Sequence, residues 1–395
     1  MTIAHQCHKF ESQLSRLSIM KTIVKVLLIS LIAAVLSQCK KEPESVNIKD
    51  INFLYALINQ GIDKNGDGNI STDEAAEVTY LVIPDHSISD LKGIEEFINL
   101  DSLKCDQNHL INLDLSHNRE LKTITCGMNR LKSLNISNNA LLRRLECPYN
   151  KLTSVDISNN PFLSFLECEW NSLTSLDVSN NPHLNTLYCD GNSLTSLDLS
   201  NNPRLTSLDC CFNSLTTLDL SNCPALIWFM SWDNKLTSLD VSNNPALKGI
   251  DCRYNLLTSM DLSHTPVLSS INCQGNLLTS LDASNNPELE YLFCSENLLT
   301  SLNISNKPKL NYLYCENNSI THLDLSGAPA LNSMNCGGNL FTSLDVSRNN
   351  ALQYMNLDSM PSLARVCVWT LPFPPATVIV DTGGSPNVYF TMDCN

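Results

Sequence analysis

Leu184-Asn185-Thr186-Leu187-Tyr188-Cys189-Asp190-Gly191-Asn192-Ser193-Leu194-Thr195-Ser196-Leu197-Asp198-Leu199-Ser200-Asn201-Asn202-Pro203-Arg204 is one copy of a 21-residue unit. Between Leu100 and Leu352 the unit recurs twelve times without an insertion. Cysteine falls at 105, 126, 147, 168, 189, 210, 252, 273, 294, 315 and 336, with Ser231 as the exception. Asparagine three residues later holds without exception, from Asn108 to Asn339, and serine holds from Ser116 to Ser347. A fixed period with leucines at these offsets is the pattern of a solenoid.

Alternation in Leu187-Tyr188-Cys189 puts Leu187 and Cys189 on one face and Tyr188 on the other. The inward face stacks on its own copy, so Leu187 meets Leu166 and Leu208. Cysteine serves as a small hydrophobe in a narrow column. Asn192 and its equivalents follow where the chain turns, and an inward amide there satisfies backbone groups that the coil leaves unpaired. The second half, Leu197-Asp198-Leu199-Ser200, forms the opposite wall, and Asn181-Pro182, Asn202-Pro203, Asn244-Pro245 and Asn286-Pro287 turn the chain back. No stretch of the unit suffices for a helix, so the convex side is expected to be extended or 3₁₀. Twelve coils about 4.8 Å apart make a rod about 55–60 Å long. The cysteine column lacks CxxC or Cys/His spacing, which favours a structural role over metal binding. Disulfides want Cβ atoms about 3.8 Å apart, so the column is expected to stay reduced.

The repeat resembles the cysteine-containing leucine-rich repeats of internalin-like bacterial surface proteins, over about residues 50–395. The resemblance implies a right-handed coil of short parallel strands with a thin convex side, capped at both ends, and a role in protein binding or adhesion.

With 25 basic and 40 acidic residues the net charge is -15, and no basic patch is present to neutralise phosphates, which argues against nucleic acid. Residues 1–19 are polar and patternless and read as lying upstream of a start at Met20. Lys21 and Lys25 then flank an apolar run, Val26 to Leu36, short for a transmembrane helix. Residues 20–38 look like a lipoprotein signal peptide, with Leu36-Ser37-Gln38-Cys39 as its lipobox. Gln38 is bulkier than the small residue usual before the cysteine, and an ordinary secretory signal is the other reading. Residues 39–50 follow as a tether whose charged start is similar to that of Bacteroidetes-type lipoproteins. Lipidation of Cys39 would place the protein on the bacterial envelope, at the outer membrane and facing outward.

Residues 51–80 read as a helical N-cap. Within it, Asp63-Lys64-Asn65-Gly66-Asp67-Gly68-Asn69-Ile70-Ser71-Thr72-Asp73-Glu74 matches an EF-hand calcium loop. Side-chain oxygens come from Asp63, Asn65, Asp67 and Glu74, and the backbone carbonyl from Asn69. A single loop suits a structural Ca²⁺ rather than a switch; an Asp/Asn-rich turn is the plainer reading. Residues 81–358 form the solenoid, opening on a degenerate coil (Leu81, Ile83, Ile88, Leu91, Ile94, Phe97). Residues 359–395 form a C-terminal cap, in which Val378-Ile379-Val380 and Val388-Tyr389-Phe390 are expected to pair around Gly383-Gly384. Cys367 and Cys394 flank it as candidates for a disulfide in an exported protein.

Function is expected on the outward positions three and one before the ladder cysteine and one and two after it. There stand Tyr149, Phe165, Trp170, Tyr188, Phe212, Trp228, Trp232 and Tyr254, then Tyr291, Phe293, Tyr312 and Tyr314, with Glu146, Glu167, Glu169, Asp190, Asp209, Asp233 and Asp251 between them. Exposed aromatics on one face mark recognition surfaces, although such residues also suit strand surfaces in general. A cluster around Trp170, Trp228 and Trp232, beside Ser231, is the expected hot spot, at the least regular point of the rod. Cys211 is expected to project outward beside buried Cys210, and Cys223 replaces a turn asparagine. No catalytic constellation is found: the histidines fall at scattered repeat positions, and nothing encloses Glu167 and Asp190. The reading is a non-enzymatic module that binds a protein of a host or neighbouring cell through its concave face. The alternative is a glycan, whose rings stack on aromatics and whose hydroxyls meet carboxylates. A spacer without a specific ligand is the plainest option.

Overall fold

Each ladder leucine finds its own equivalent one coil away. Leu166 lies opposite Leu187, and Leu187 opposite Leu208, in parallel register. The computed structural model of the chain describes residues 20–29 and 44–394. Fifteen three-residue strands, from Tyr80–Val82 to Ile379–Asp381, line up in one parallel sheet. The fold is a parallel-strand solenoid of about fifteen turns with little helix. Its core is one continuous stack: the ladder leucines and all eleven column cysteines are fully buried. All of these cysteines are free thiols.

The first asparagine column satisfies the coil as its position predicts. Asn192 Nδ2 donates to the carbonyls of Cys168, Cys189 and Asp190 at 3.0–3.2 Å, and its Oδ1 accepts from Leu173 N at 2.9 Å. The turn asparagines form a second buried column that the sequence did not announce as one. Asn181 Nδ2 donates to Ile157 O and Asn160 O, at 3.1 and 2.9 Å, and its Oδ1 is buried without a partner.

The convex wall is extended, with short parallel pairs such as Ser280–Asp282 with Ser301–Asn303. The 3₁₀ helix Ile94–Glu96 belongs to the N-terminal cap rather than to the repeats. In that cap the helix Ile51–Asn59 buries Phe53, Ala56 and Leu57 over the end of the stack, with Phe53 against Phe97. Asp50 caps this helix through Asn52 N and Phe53 N, and its other oxygen accepts from Ser89 N and Oγ and from Asp90 N. One carboxylate thus fastens the cap to the first coil.

At the other end the expected hairpin does not form. Ile379–Asp381 pairs in parallel with Tyr354–Asn356 on the concave sheet, and Tyr389–Thr391 pairs with Arg365–Cys367 on the convex side. An open parallel edge offers each strand a full set of partners, so the chain completes another coil instead of folding on itself. Cys367 and Cys394 are joined there, with Cα atoms 5.5 Å apart. Met20–Ile29 is helical and exposed, and Cys39 lies outside the described residues. Among the described residues no helix is long and apolar enough to cross a membrane.

Candidate recognition face

The strand residues three and one before the ladder cysteine point outward, as alternation requires. In Phe165–Glu167 and Thr186–Tyr188 the middle leucine is buried and its two neighbours are half-buried. The position two after the cysteine is different. Tyr149, Trp170, Phe212 and Tyr254 have φ of 53, 52, 48 and 53°, so they stand in a left-handed turn at the rim, not on the strand as expected. The reason is local: the first-ladder asparagine next in sequence folds its amide back onto the two preceding carbonyls, as Asn192 does onto Cys189 O and Asp190 O. Bulky side chains tolerate this region poorly.

Those turn residues build a continuous ridge. Tyr149 stacks on Trp170 at 6.0 Å and 5°, Trp170 meets Phe212 at 5.6 Å, and Phe212 meets Trp232 at 4.0 Å. Arg253 closes the ridge, its guanidinium 4.5 Å from the Trp232 ring centre. Phe165 and Tyr188 form a separate edge-on pair at 6.0 Å, with the Arg144 guanidinium 3.5 Å from the Phe165 ring. Trp228 belongs to neither group. It is 49% exposed, and its ring lies against Gly249 of the next coil, at the far end of the strand that precedes Ser231. The expected cluster of three tryptophans therefore divides in two. Nor is the rod irregular there: Trp228–Met230 pairs fully with both neighbouring strands, and Ser231 is buried in the column with an unpartnered hydroxyl.

Gly191, Gly249 and Gly275 make the aromatic placement workable. A Cβ on them would lie 2.7, 2.4 and 2.4 Å from the rings of Trp170, Trp228 and Tyr254, respectively. Each glycine follows its aromatic residue by one repeat, so each ring rests on the bare backbone of the next coil. That offset is visible in the sequence once the columns are read for small residues as well as large ones.

Between the ridge and the strand aromatics runs a strip of carboxylates. Burial first, and then Glu146, pushes the Glu167 carboxyl up. Burial, with Glu167, Asp190 and Asp209 nearby, pushes Glu169 up to about 7, and its Oε2 is buried without a partner. Burial and Asp209 push Asp190 up to about 6. Cys211 was expected to project outward, but it is buried: it lies in this strip, where burial first and then Asp209 push its thiol up, against a smaller opposing contribution from the Trp232 backbone.

No family model and no curated protein matches the chain. Among solved structures, the functional domain of InlJ from Listeria monocytogenes, which includes a cysteine ladder, is 33% identical. The match covers 76% of this chain and 70% of that one, with a TM-score of 0.63. The chain belongs to the internalin-like leucine-rich repeat proteins. A leucine-rich repeat protein of Leptospira interrogans (23% identity, 74% and 81% covered, TM-score 0.66) and YopM from Yersinia pestis (22%, 88% and 97%, 0.61) share the fold. Solenoids of this kind are typically non-enzymatic scaffolds for protein interaction.

Two further groups of this internalin-like chain lie off the concave face. In the N-terminal loop, Asp63 accepts from Gly66 N and Gly68 N, Asn65 Oδ1 from Asp67 N, and Asp67 Oδ1 from Asn69 N, at 2.8–3.0 Å. These are the loop's own turn bonds, and its side-chain oxygens are donors of the kind that suits a hard cation. Glu74 accepts from Lys64 N and Asn65 N on one oxygen and from Ser71 N and Oγ on the other. It closes the same loop and caps the helix Thr72–Ala76, and ligating an ion would mean exchanging some of these bonds. By donor type the residues fit Ca²⁺; among the described residues, Asp63, Asp67 and Glu74 do not bring their carboxylate oxygens within 4.8 Å of one another. At the C-terminal end, donor atoms of Asp345, Cys367 and Cys394 lie within 4.8 Å of one another, but the two sulfurs are tied together.

Proposed function

We propose that the chain is a recognition module displayed on a bacterial cell surface, anchored by a lipid on Cys39, which binds a protein of a host or neighbouring cell in adhesive fashion through its concave face. The observation that carries the reading is the ridge from Tyr149 through Trp170 and Phe212 to Trp232, bordered by half-buried carboxylates. Large aromatic surface supplies binding energy, and desolvated carboxylates select a partner that brings cations or donors. Kinship with InlJ supports the assignment to protein recognition. The test is capture from host and bacterial surface extracts by the wild-type chain and by a folded Trp170→Ala/Trp228→Ala/Trp232→Ala variant. A protein retained by the first and lost by the second supports the reading. Equal retention by both, or recovery of polysaccharide alone, refutes it.

Ca²⁺ in the loop 63–74 is proposed as a pin for the N-terminal cap. Added Ca²⁺ should raise the melting temperature of the wild type and leave Asp63→Asn/Asp67→Asn unmoved; equal shifts in both would remove the ion from that loop.

A further inference from the structure

On the rim where the chain enters the concave strands, two columns stand six and four positions before the ladder cysteine. From coil to coil they bring Arg143, then Phe162 and Ser164, then His183 and Asn185, then Arg204, around an open cleft of about 440 Å³. Phe162 is 46% exposed and stacks on the His183 ring at 6.1 Å and 22°. Arg204 Nη1 donates to His183 Nδ1 at 2.9 Å. Among the described residues neither Arg143 nor Arg204 meets a carboxylate.

Elsewhere in these same two columns, two cations are neutralised across adjacent coils. Lys122 pairs with Asp101 in one column, and Lys309 pairs with Glu288 in the other. Beside Arg143 and Arg204 the corresponding positions hold Lys122, Ser164, His183 and Ala225, so two unpaired guanidiniums flank an exposed aromatic ring on a chain of net charge -15.

We propose that this rim is a second binding site, separate from the aromatic ridge, for the carboxylates of an acidic protein segment. Guanidinium matches the planar carboxylate with paired hydrogen bonds. Arg143 and Arg204 are three coils apart, about 14 Å at the spacing of parallel strands, and two carboxylates four residues apart on an extended chain are separated by about 13 Å. An apolar side chain between them covers Phe162 and the His183 face. The negative field of the whole molecule repels a long, densely charged polymer, which favours a short acidic stretch of protein over a sulfated glycan or nucleic acid.

The probe is a fluorescent peptide with two glutamates four residues apart and leucine between them, titrated against the full chain by anisotropy. The wild type binds it, more weakly as salt is added, and the peptide with both glutamates changed to glutamine does not bind. Arg143→Gln and Arg204→Gln each weaken binding about tenfold, with an unchanged melting temperature because both side chains are exposed. The Trp170→Ala/Trp228→Ala/Trp232→Ala variant binds the peptide as the wild type does. No binding by the wild type, binding by Arg143→Gln and Arg204→Gln equal to that of the wild type, loss of binding in the tryptophan variant, or tighter binding of a sulfated oligosaccharide would each overturn the assignment.

Discussion

A Cβ on Gly249 would lie 2.4 Å from two carbons of the Trp228 ring. Gly249 is not among the residues of positive φ, so close approach alone demands glycine here. Gly249→Ala should therefore leave the backbone unstrained and lift Trp228 off the sheet. The expected outcome is greater acrylamide quenching of tryptophan fluorescence with a stability loss of about 1 kcal/mol or less. Unchanged quenching would mean that the ring does not rest there. Alternation was enough to identify the outward aromatics and the buried cysteine column, because side-chain direction in a strand follows from period two. It misplaced Cys211, since an outward direction does not imply exposure when the neighbouring coil contributes a residue as large as Trp232. It also put Tyr149 and Trp170 on strands, because the left-handed turn that holds them is set by hydrogen bonds of the following asparagine.

The two asparagine columns explain why one tolerates exceptions and the other none. In the first, Asn192 uses its amide nitrogen on three carbonyls and its oxygen on Leu173 N. In the second, Asn181 uses the nitrogen on two carbonyls and buries an unpartnered oxygen. A buried acceptor without a donor costs free energy, which offsets part of what the nitrogen contributes. Cys223, Thr265, Lys307 and Ala328 accordingly replace asparagine in the second column, whereas the first runs from Asn108 to Asn339 unbroken. Lys307 is an extreme case, buried with Nζ on the carbonyls of Ser284, Ser305 and Asn306, and burial lowers its pKa. Asn192→Ala should destabilise by about 2–3 kcal/mol, and Asn181→Ala by at least about 1 kcal/mol less. Urea unfolding of the two variants checks this, and equal losses would show that the orphan oxygen costs nothing. The solenoid itself was legible from the fixed period. The pairing of the last strands was not, because Val378–Val380 and Val388–Phe390 alternate equally well for a hairpin or another coil, and only the open parallel edge decides.

Over the whole molecule, two sets of carboxylates act in opposite directions with pH. Turn aspartates such as Asp177 are held below the usual carboxylate range by the hydroxyl and amide of the serine two residues on. Their contribution is present above about pH 4 and lost as the pH falls through the folded value. Glu169 and Asp190 are pushed up to about 7 and 6, first by burial. A raised carboxyl binds its proton more tightly in the folded state, so its contribution is complete below about pH 4 and lost as the pH rises through 6 to 7. Stability should therefore peak near pH 4 and decline from there to about pH 7, above which these two carboxyls add no further change. Glu169→Gln/Asp190→Asn should flatten that decline while leaving the acid limb in place, as read from melting temperatures across the range. If the wild type is no less stable at pH 8 than at pH 5, or if the variant declines as steeply, the concave carboxylates are not desolvated as described. On the proposed reading, the same repulsion would give the face its selectivity. A partner that brings a cation onto Glu169 and Asp190 relieves the repulsion among them and draws their protons off, so its affinity should rise over the interval in which the free protein weakens.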